Sequence, residues 1–281
     1  MRKVNIITDC TSDLTPELKE KYGIREFPLI INIGEKSYKG GVDIDTKMLF
    51  KLIDETGQMP HTASVPPAFF VDLVKEYPED EDVIYMGISG GISGTFNNAR
   101  IASEECPNFY PIDSANLSTG IGLLLLKAAK FRDQGMSAPE IVAEIEKIKP
   151  RVRTQFAIDT LDYLHKGGRC SGTARLFGTL LKIKPIVKVV DGKMVVAKKP
   201  IGNFKKALDL QLEMFDADIN NIDPDFVFVT HPDTHEDAIY LMNELKKRDV
   251  QIDNLVETNA SSVIAAHCGP RTIGILYIVK E

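Results

Sequence analysis

The sequence predicts an α/β protein of two domains, with an N-terminal doubly wound parallel sheet and a C-terminal mixed sheet. Three observations carry this. Apolar strand-like runs alternate with helix-like segments through the first half, as strand–helix–strand crossovers require. In the second half, Asp191-Gly192 joins two strand-like runs, the turn chemistry of an antiparallel hairpin. The alternation changes character near Pro150, which places the boundary between residues 1–150 and 151–281.

Taken in order, Val4–Thr8 reads as a buried strand. Thr15 caps a helix with Pro16 at its first position, and Gly23 stops it. Phe27–Ile33 reads as one strand. Asp45 caps a helix that ends before Gly57, and Pro66-Pro67 opens the next, with Phe69, Phe70 and Leu73 apolar. The strand Val83–Ile88 empties into a Ser/Gly loop, and a helix begins near Gly94-Thr95. A strand at Asn108–Ile112 precedes a long amphipathic helix from Ser118 to about Gln134, stopped by Gly135. The helix Ala138–Ile148 leads to Pro150. Beyond it, LDYLHKGGRC (161–170) ends a short helix in Gly-Gly. The hairpin pairs Pro185–Val190 with Met194–Lys198. Helix Phe204–Phe215, strand Phe226–Thr230, helix Glu236–Arg248, strand Asn254–Thr258, helix Ser261–Ala266 and strand Ile273–Val279 complete the chain.

Composition narrows the function classes. With 281 residues, 43% hydrophobic and 26% charged, the chain has the make-up of a soluble globular protein. No apolar run approaches the ~20 residues of a membrane span, and the start carries no secretory h-region. Cys10, Cys106, Cys170 and Cys268 are scattered without CxxC spacing, so reduced thiols in a cytoplasmic protein are expected. The net charge of −6 is uneven: Tyr163–Leu208 holds eleven Lys or Arg against Asp191 alone. That segment is either a set of solvated faces or a docking surface for an acidic partner, a nucleotide or an anionic membrane. Nucleic acid is not expected, because the chain is acidic and no aromatic residues interleave with the basic ones.

The Ser/Gly loop between the Val83 strand and the following helix is an anion site by construction. Free N–H groups and a positive dipole end meet there. It holds neither a Walker loop nor a dinucleotide fingerprint. Gly87-Ile88-Ser89-Gly90-Gly91 matches the nucleophile elbow G-x-S-x-G, and Asp233 and His267 preserve the Ser, Asp, His order. In an elbow, however, the helix starts directly after the serine, whereas here Ser/Gly character continues to Thr95. Ser93-Gly94-Thr95 is the better anion contact, or else a plain helix cap. The polar turn HTASVPP (61–67) is either an ordinary helix cap or places Thr62 as a second hydroxyl for the same anion, and Gly167-Gly168 is either a simple helix end or brings Arg169 as a guanidinium to another helix start. His267, beside Gly269-Pro270, is a site candidate. His165, His231 and His235 form no metal pattern with the carboxylates, so no metal is expected.

Seven motifs in order resemble those of the DegV family: TDCTSDL (8–14), TASVPP (62–67), SGGISGTFNNA (89–99), DSANLSTGIG (113–122), LDYLHKGGR (161–169), LLKIKPI (180–186) and HCGP (267–270). The resemblance implies the DegV fold of two α/β domains with a ligand tunnel between them. It implies a long-chain fatty acid of the C16–C18 class as ligand and no cofactor. The chain would be a non-catalytic subunit that presents the carboxylate to a separate ATP-dependent kinase subunit related to dihydroxyacetone kinases. That subunit makes an acyl phosphate for phospholipid synthesis in bacteria.

Carried over by motif, the carboxylate contacts are Thr62, Ser93 and the Gly94 amide, with His267 nearby. Cys10 stands where Ser is usual, Gly90 replaces a second Ser, and Arg271 replaces a Gly, which would either add a cation near the carboxylate or mark an altered ligand choice. Arg169, Arg175, Lys198, Lys199 and Lys205 are the candidates for kinase docking, with transient contact to a membrane surface. Gly202-Asn203-Phe204 occupies a connection that often holds arginines. A C16 tail buries about 15 carbons at roughly 0.8 kcal/mol each, about 12 kcal/mol gross, so the tail dominates affinity. The alternatives are a serine acyl hydrolase using Ser89, and a polar pocket for a ketone or sugar.

Overall fold

Residues 2–171 and 183–280 are described by a computed structural model. Strands β1 (Val4–Asp9) and β2 (Ile24–Phe27) flank helix α1 (Pro16–Lys21), whose first turn is closed by the Thr15 hydroxyl accepting from the Leu18 amide. Pro28 has no N–H for a ladder, and the chain leaves the sheet there. The expected single strand Phe27–Ile33 is therefore two strands. β3 (Ile30–Ile33) pairs antiparallel with β4 (Lys36–Lys39) and β5 (His61–Ala63) in a separate three-stranded sheet. Thr62 sits on β5, opposite Ile31, and not in a plain turn. Between β4 and β5 runs α2 (Thr46–Thr56), capped by Asp45 and ended by Gly57 in the left-handed region.

Helix α3 (Pro67–Val74) leads to β6 (Asp82–Gly87), α4 (Thr95–Ser103) and β7 (Phe109–Asp113). The first sheet has the order β2-β1-β6-β7 and is parallel throughout. β6 is buried at every position, as befits a central strand covered on both faces. Helices α5 (Thr119–Asp133) and α6 (Ala138–Ile148) follow.

β8 (Val152–Ile158), α7 (Asp162–Gly167), β9 (Cys170–Ser171), β10 (Ile186–Val190), β11 (Lys193–Lys198), α8 (Phe204–Asp216), β12 (Ile222–His231), α9 (His235–Leu245), β13 (Leu255–Asn259), α10 (Ser262–Cys268) and β14 (Thr272–Val279) form the second half. Its seven strands run β13-β12-β14-β8-β10-β11-β9, with β12–β13 and β11–β9 parallel and the other pairs antiparallel. Asp191 and Gly192 both have positive φ, the geometry of the tight hairpin. β8 was not expected. RTQFAI offers no clean alternation because six of the seven β8 positions are buried.

Helix α5 departs from the amphipathic expectation. It is buried at every position from Thr119 to Leu126, because the parallel sheet packs on one side and β8, β12 and β14 on the other. One core therefore joins both halves, with Met86 and Leu124 meeting Phe156 and Leu276. A second core under α2, α3 and α4 centres on Tyr85, Phe70 and Phe109, and a third under α8 and α9 on Phe215, Leu241 and Tyr277. Among the described residues no helix is long and apolar enough to cross a membrane.

Candidate functional site

A cavity of about 310 Å³ lies where the three-stranded sheet, the loop after β6, the β11 strand and α10 converge. One end is polar, formed by Thr62, Ser64, Ser93, Gly94, Arg169 and His267. The lining also includes the apolar Leu29, Ile88, Leu117, Met194, Val263 and Ile264.

Buried carboxylates shape the polar end from behind. Asp9, at the end of β1, accepts from the Thr11 amide at 3.0 Å, from the Tyr85 hydroxyl at 2.7 Å and from the Ile88 amide at 3.3 Å. Asp113 accepts from the Gly90 amide at 3.1 Å, and the Ser114 hydroxyl donates to the Gly87 carbonyl at 2.6 Å. The loop backbone is thus fixed before Ser93 is reached. Gly94 occupies the cap position of α4, and its amide makes no hydrogen bond among the described residues. Ser93 Oγ accepts from the Thr95 amide at 3.3 Å, so it both caps the helix and faces the cavity. The Asn98 side chain donates to the Val65 carbonyl at 2.7 Å, which draws the Thr62–Val65 segment against α4.

His267 comes from the far end of the sequence. Asp13 holds its helix in place, accepting from the Ser261 amide at 2.8 Å and from the Ser118 hydroxyl at 2.6 Å, and so ties the starts of α10 and α5 to the turn after β1. His267 Nε2 lies 2.8 Å from Thr62 Oγ1, while Nδ1 is buried without a partner among the described residues. A buried N–H without an acceptor costs about 1–3 kcal/mol. We therefore assign the proton to Nε2, which donates to Thr62 and leaves the Thr62 O–H free to donate into the cavity. Gly167 makes room for the ring, since a Cβ there would stand 2.9 Å from Nδ1.

Burial, with the nearby Arg169 and His61 charges adding to it, lowers the His267 pKa from 6.5 to about 4. The imidazole is neutral at physiological pH. Below pH 6.5 the unfolded chain takes up a proton that the folded chain refuses until about pH 4. Stability therefore falls as pH drops through this window, by about 3 kcal/mol in all, and no further below it. An NMR titration of the ligand-free protein should place the His267 midpoint near 4, and His267→Gln should flatten this part of the acid limb. A midpoint near 6.5 would contradict the burial argument.

A model of the family described as "Uncharacterised protein, DegV family" matches residues 3–280. The chain belongs to the DegV family. A DegV domain-containing protein of Clostridium acetobutylicum is 35% identical over 283 residues, covering 100% of both chains. The solved structure of a DegV family protein from Thermus thermophilus, described for its fatty acid binding, superposes with a TM-score of 0.92 at 28% identity, covering 99% of this chain and 100% of that one. Bacillus subtilis DegV, described as a fatty acid binding protein, gives 0.86 at 30% identity, covering 100% of both.

Within this DegV chain the structure brings Thr62, Ser93, Gly94 and His267 to one cavity end. It does not bring Arg271 there. That guanidinium pairs with Asp237 at 3.0 Å, lies 4.5 Å from the centre of the Phe204 ring and is not among the residues lining the cavity. The expected cation beside the carboxylate is thus engaged elsewhere. Ser89 is fully buried, donates to the Gly192 carbonyl at 2.8 Å and accepts from the Gly91 amide at 3.1 Å, so the elbow reading loses its exposed nucleophile.

Gly90 is a tight fit: a Cβ would lie 2.9 Å from Phe96 and 3.1 Å from Asp113. Cys10 Sγ accepts from the Leu29 amide at 3.3 Å, a bond a serine hydroxyl could also take. Arg169 lines the cavity mouth and donates to the Gly167 carbonyl at 2.5 Å. Lys198 and Lys199 are exposed, Lys205 is bound to Asp209 and Tyr240, and Arg175 lies outside the described residues. Sequence reasoning missed Ser64 and Met194 as lining residues. Ser64 stood in the quoted TASVPP motif, but no local signal points Met194 at the cavity.

Proposed function

We propose that this chain binds one long-chain fatty acid of the C16–C18 class and presents its carboxylate to a separate ATP-dependent kinase subunit, with no chemistry of its own. The observation that carries the reading is one cavity lined both by the Thr62 and Ser93 hydroxyls with the free Gly94 amide and by the aliphatic side chains of Leu29, Ile88, Leu117, Met194, Val263 and Ile264. The Thr62 hydroxyl, the Ser93 hydroxyl and the Gly94 amide donate to the carboxylate, and His267 orients Thr62. None of these contacts is an ion pair, so the carboxylate oxygens keep the electron density needed to attack a phosphoryl group. Residues 1–150 and 151–281 act as two lobes, and the tail lies in the seam between them.

Arg169 sits where a partner reaching the head group would pass. With Lys198, Lys199 and Lys205 it makes the basic docking face, in a cytoplasmic protein that touches the membrane surface transiently. Acyl phosphate formation in the presence of the kinase subunit and ATP is the corresponding activity.

Denaturing extraction and mass spectrometry of the purified protein should release long-chain fatty acid. Ser93→Ala and Thr62→Ala should each weaken palmitate binding about 10- to 150-fold with the fold retained, the value of one hydrogen bond to a charged group. A delipidated protein whose thermal unfolding is unmoved by palmitate and by oleate would overturn the reading.

A further inference from the structure

We infer that the carboxyl end of β12, the first residue of α9 and β13 together form a binding site for a late first-row transition-metal dication, zinc above all, held by His231, His235 and Glu257. The sequence reading found no metal pattern for these histidines, because Glu257 is 22 residues from His235 and reaches it only through the β12–β13 pairing. In the fold, His231 Nε2 lies 2.9 Å and His235 Nδ1 2.5 Å from the same oxygen, Glu257 Oε1. All three donor atoms fall within 4.8 Å of one another, the one such group of three among the described residues.

The donor set is specific in kind. Two imidazoles and one carboxylate suit zinc, nickel, cobalt or copper, whereas calcium and magnesium take oxygen ligands. Metal–ligand distances of about 2.0–2.2 Å call for donors roughly 3–3.5 Å apart, so each imidazole need move from the Glu257 oxygen by no more than about 1 Å to admit an ion. The three residues differ in exposure in a useful order. His231 is 3% exposed, Glu257 is 30% exposed, and His235 at 68% is the arm open to solvent. Three protein ligands leave a coordination position for water.

The proton count also closes. The Thr234 amide donates to His231 Nδ1 at 3.0 Å, so the His231 proton is on Nε2 and bridges to Glu257. An ion taking the Nε2 lone pair displaces that proton. Nδ1 takes one up, so His231 changes tautomer without changing charge, and the Thr234 amide, which had donated to Nδ1, must turn away from the ring.

The test uses full-length protein without a histidine tag, freed of metal by a chelator and titrated with Zn²⁺ by calorimetry and with Co²⁺ by visible absorption. One equivalent should bind, with the intense absorption of tetrahedral Co²⁺. His235→Ala, an exposed substitution that spares the fold, and Glu257→Gln should each weaken binding at least tenfold and leave bound fatty acid unchanged. Absence of binding at millimolar Zn²⁺, or undiminished binding in both variants, would overturn the inference.

Discussion

Octanoate is expected to bind this protein about four orders of magnitude more weakly than palmitate. The two ligands share a carboxylate, so the proposed contacts with Thr62, Ser93 and the Gly94 amide would be the same for both. They differ by eight methylenes, each worth about 0.8 kcal/mol when moved from water to an apolar wall, or roughly 6 kcal/mol in total. At 1.4 kcal/mol per decade this is about 10⁴ in Kd. The wall that supplies it is Leu29, Ile88, Leu117, Met194, Val263 and Ile264. Calorimetric titration of delipidated protein along an even-numbered acid series would give the increment per methylene directly. A flat series would mean that the head group alone determines binding and that the tail lies in solvent. A polar pocket for a ketone or sugar would predict that outcome.

Gly87→Ala is expected to destabilise the protein by about 3 kcal/mol or more. A Cβ on Gly87 would stand 2.1 Å from Asp9 Oδ2 and 2.2 Å from the Tyr85 hydroxyl oxygen. Both side chains are fully buried and bonded to each other at 2.7 Å, so neither can move into solvent. Overpacking costs about 1–3 kcal/mol. Separating the Tyr85–Asp9 pair strands buried polar groups for about 1–3 kcal/mol more. Gly57→Ala is the matching control. It has positive φ but open space around it, and carries only the left-handed backbone strain of about 1–2 kcal/mol. Urea unfolding of the two variants separates the effects. A Gly87→Ala protein no less stable than Gly57→Ala would show that Asp9 does not pin the loop. Because Asp9 also holds the Ile88 amide, the same substitution should release bound fatty acid.

The elements that were legible in the sequence are those closed by contacts within a few residues. Thr15-Pro16, the Asp45 cap with Gly57 at the other end, and Asp191-Gly192 each satisfy their own backbone groups, and each lies where local chemistry puts it. The misreadings share one cause. Whether Phe27–Ile33 is one strand or two depends on which sheet lies beyond Pro28. His61–Ala63 is a strand only because β3 is beside it. β8 and α5 lack periodicity because both are covered on every side by elements far along the chain. The family motifs pointed to Thr62, Ser93, Gly94 and His267, which line one cavity, and to Arg271, which pairs instead with Asp237 of α9 outside that lining.

The sequence by itself determined the α/β class, the Ser/Gly loop at a helix start, and the residue types able to hold an anion without a counter-charge. Only the tertiary structure decided which of them meet. Thr62 and His267 are 205 residues apart and 2.8 Å from each other. His231, His235 and Glu257 converge on one carboxylate oxygen through a strand pairing that no local pattern announces. The physical reason is range. Caps and turns are set by bonds that close within a few residues. A cavity wall or a ligand cluster is set by burial of apolar faces, which is non-directional and selects partners only once the whole chain has packed.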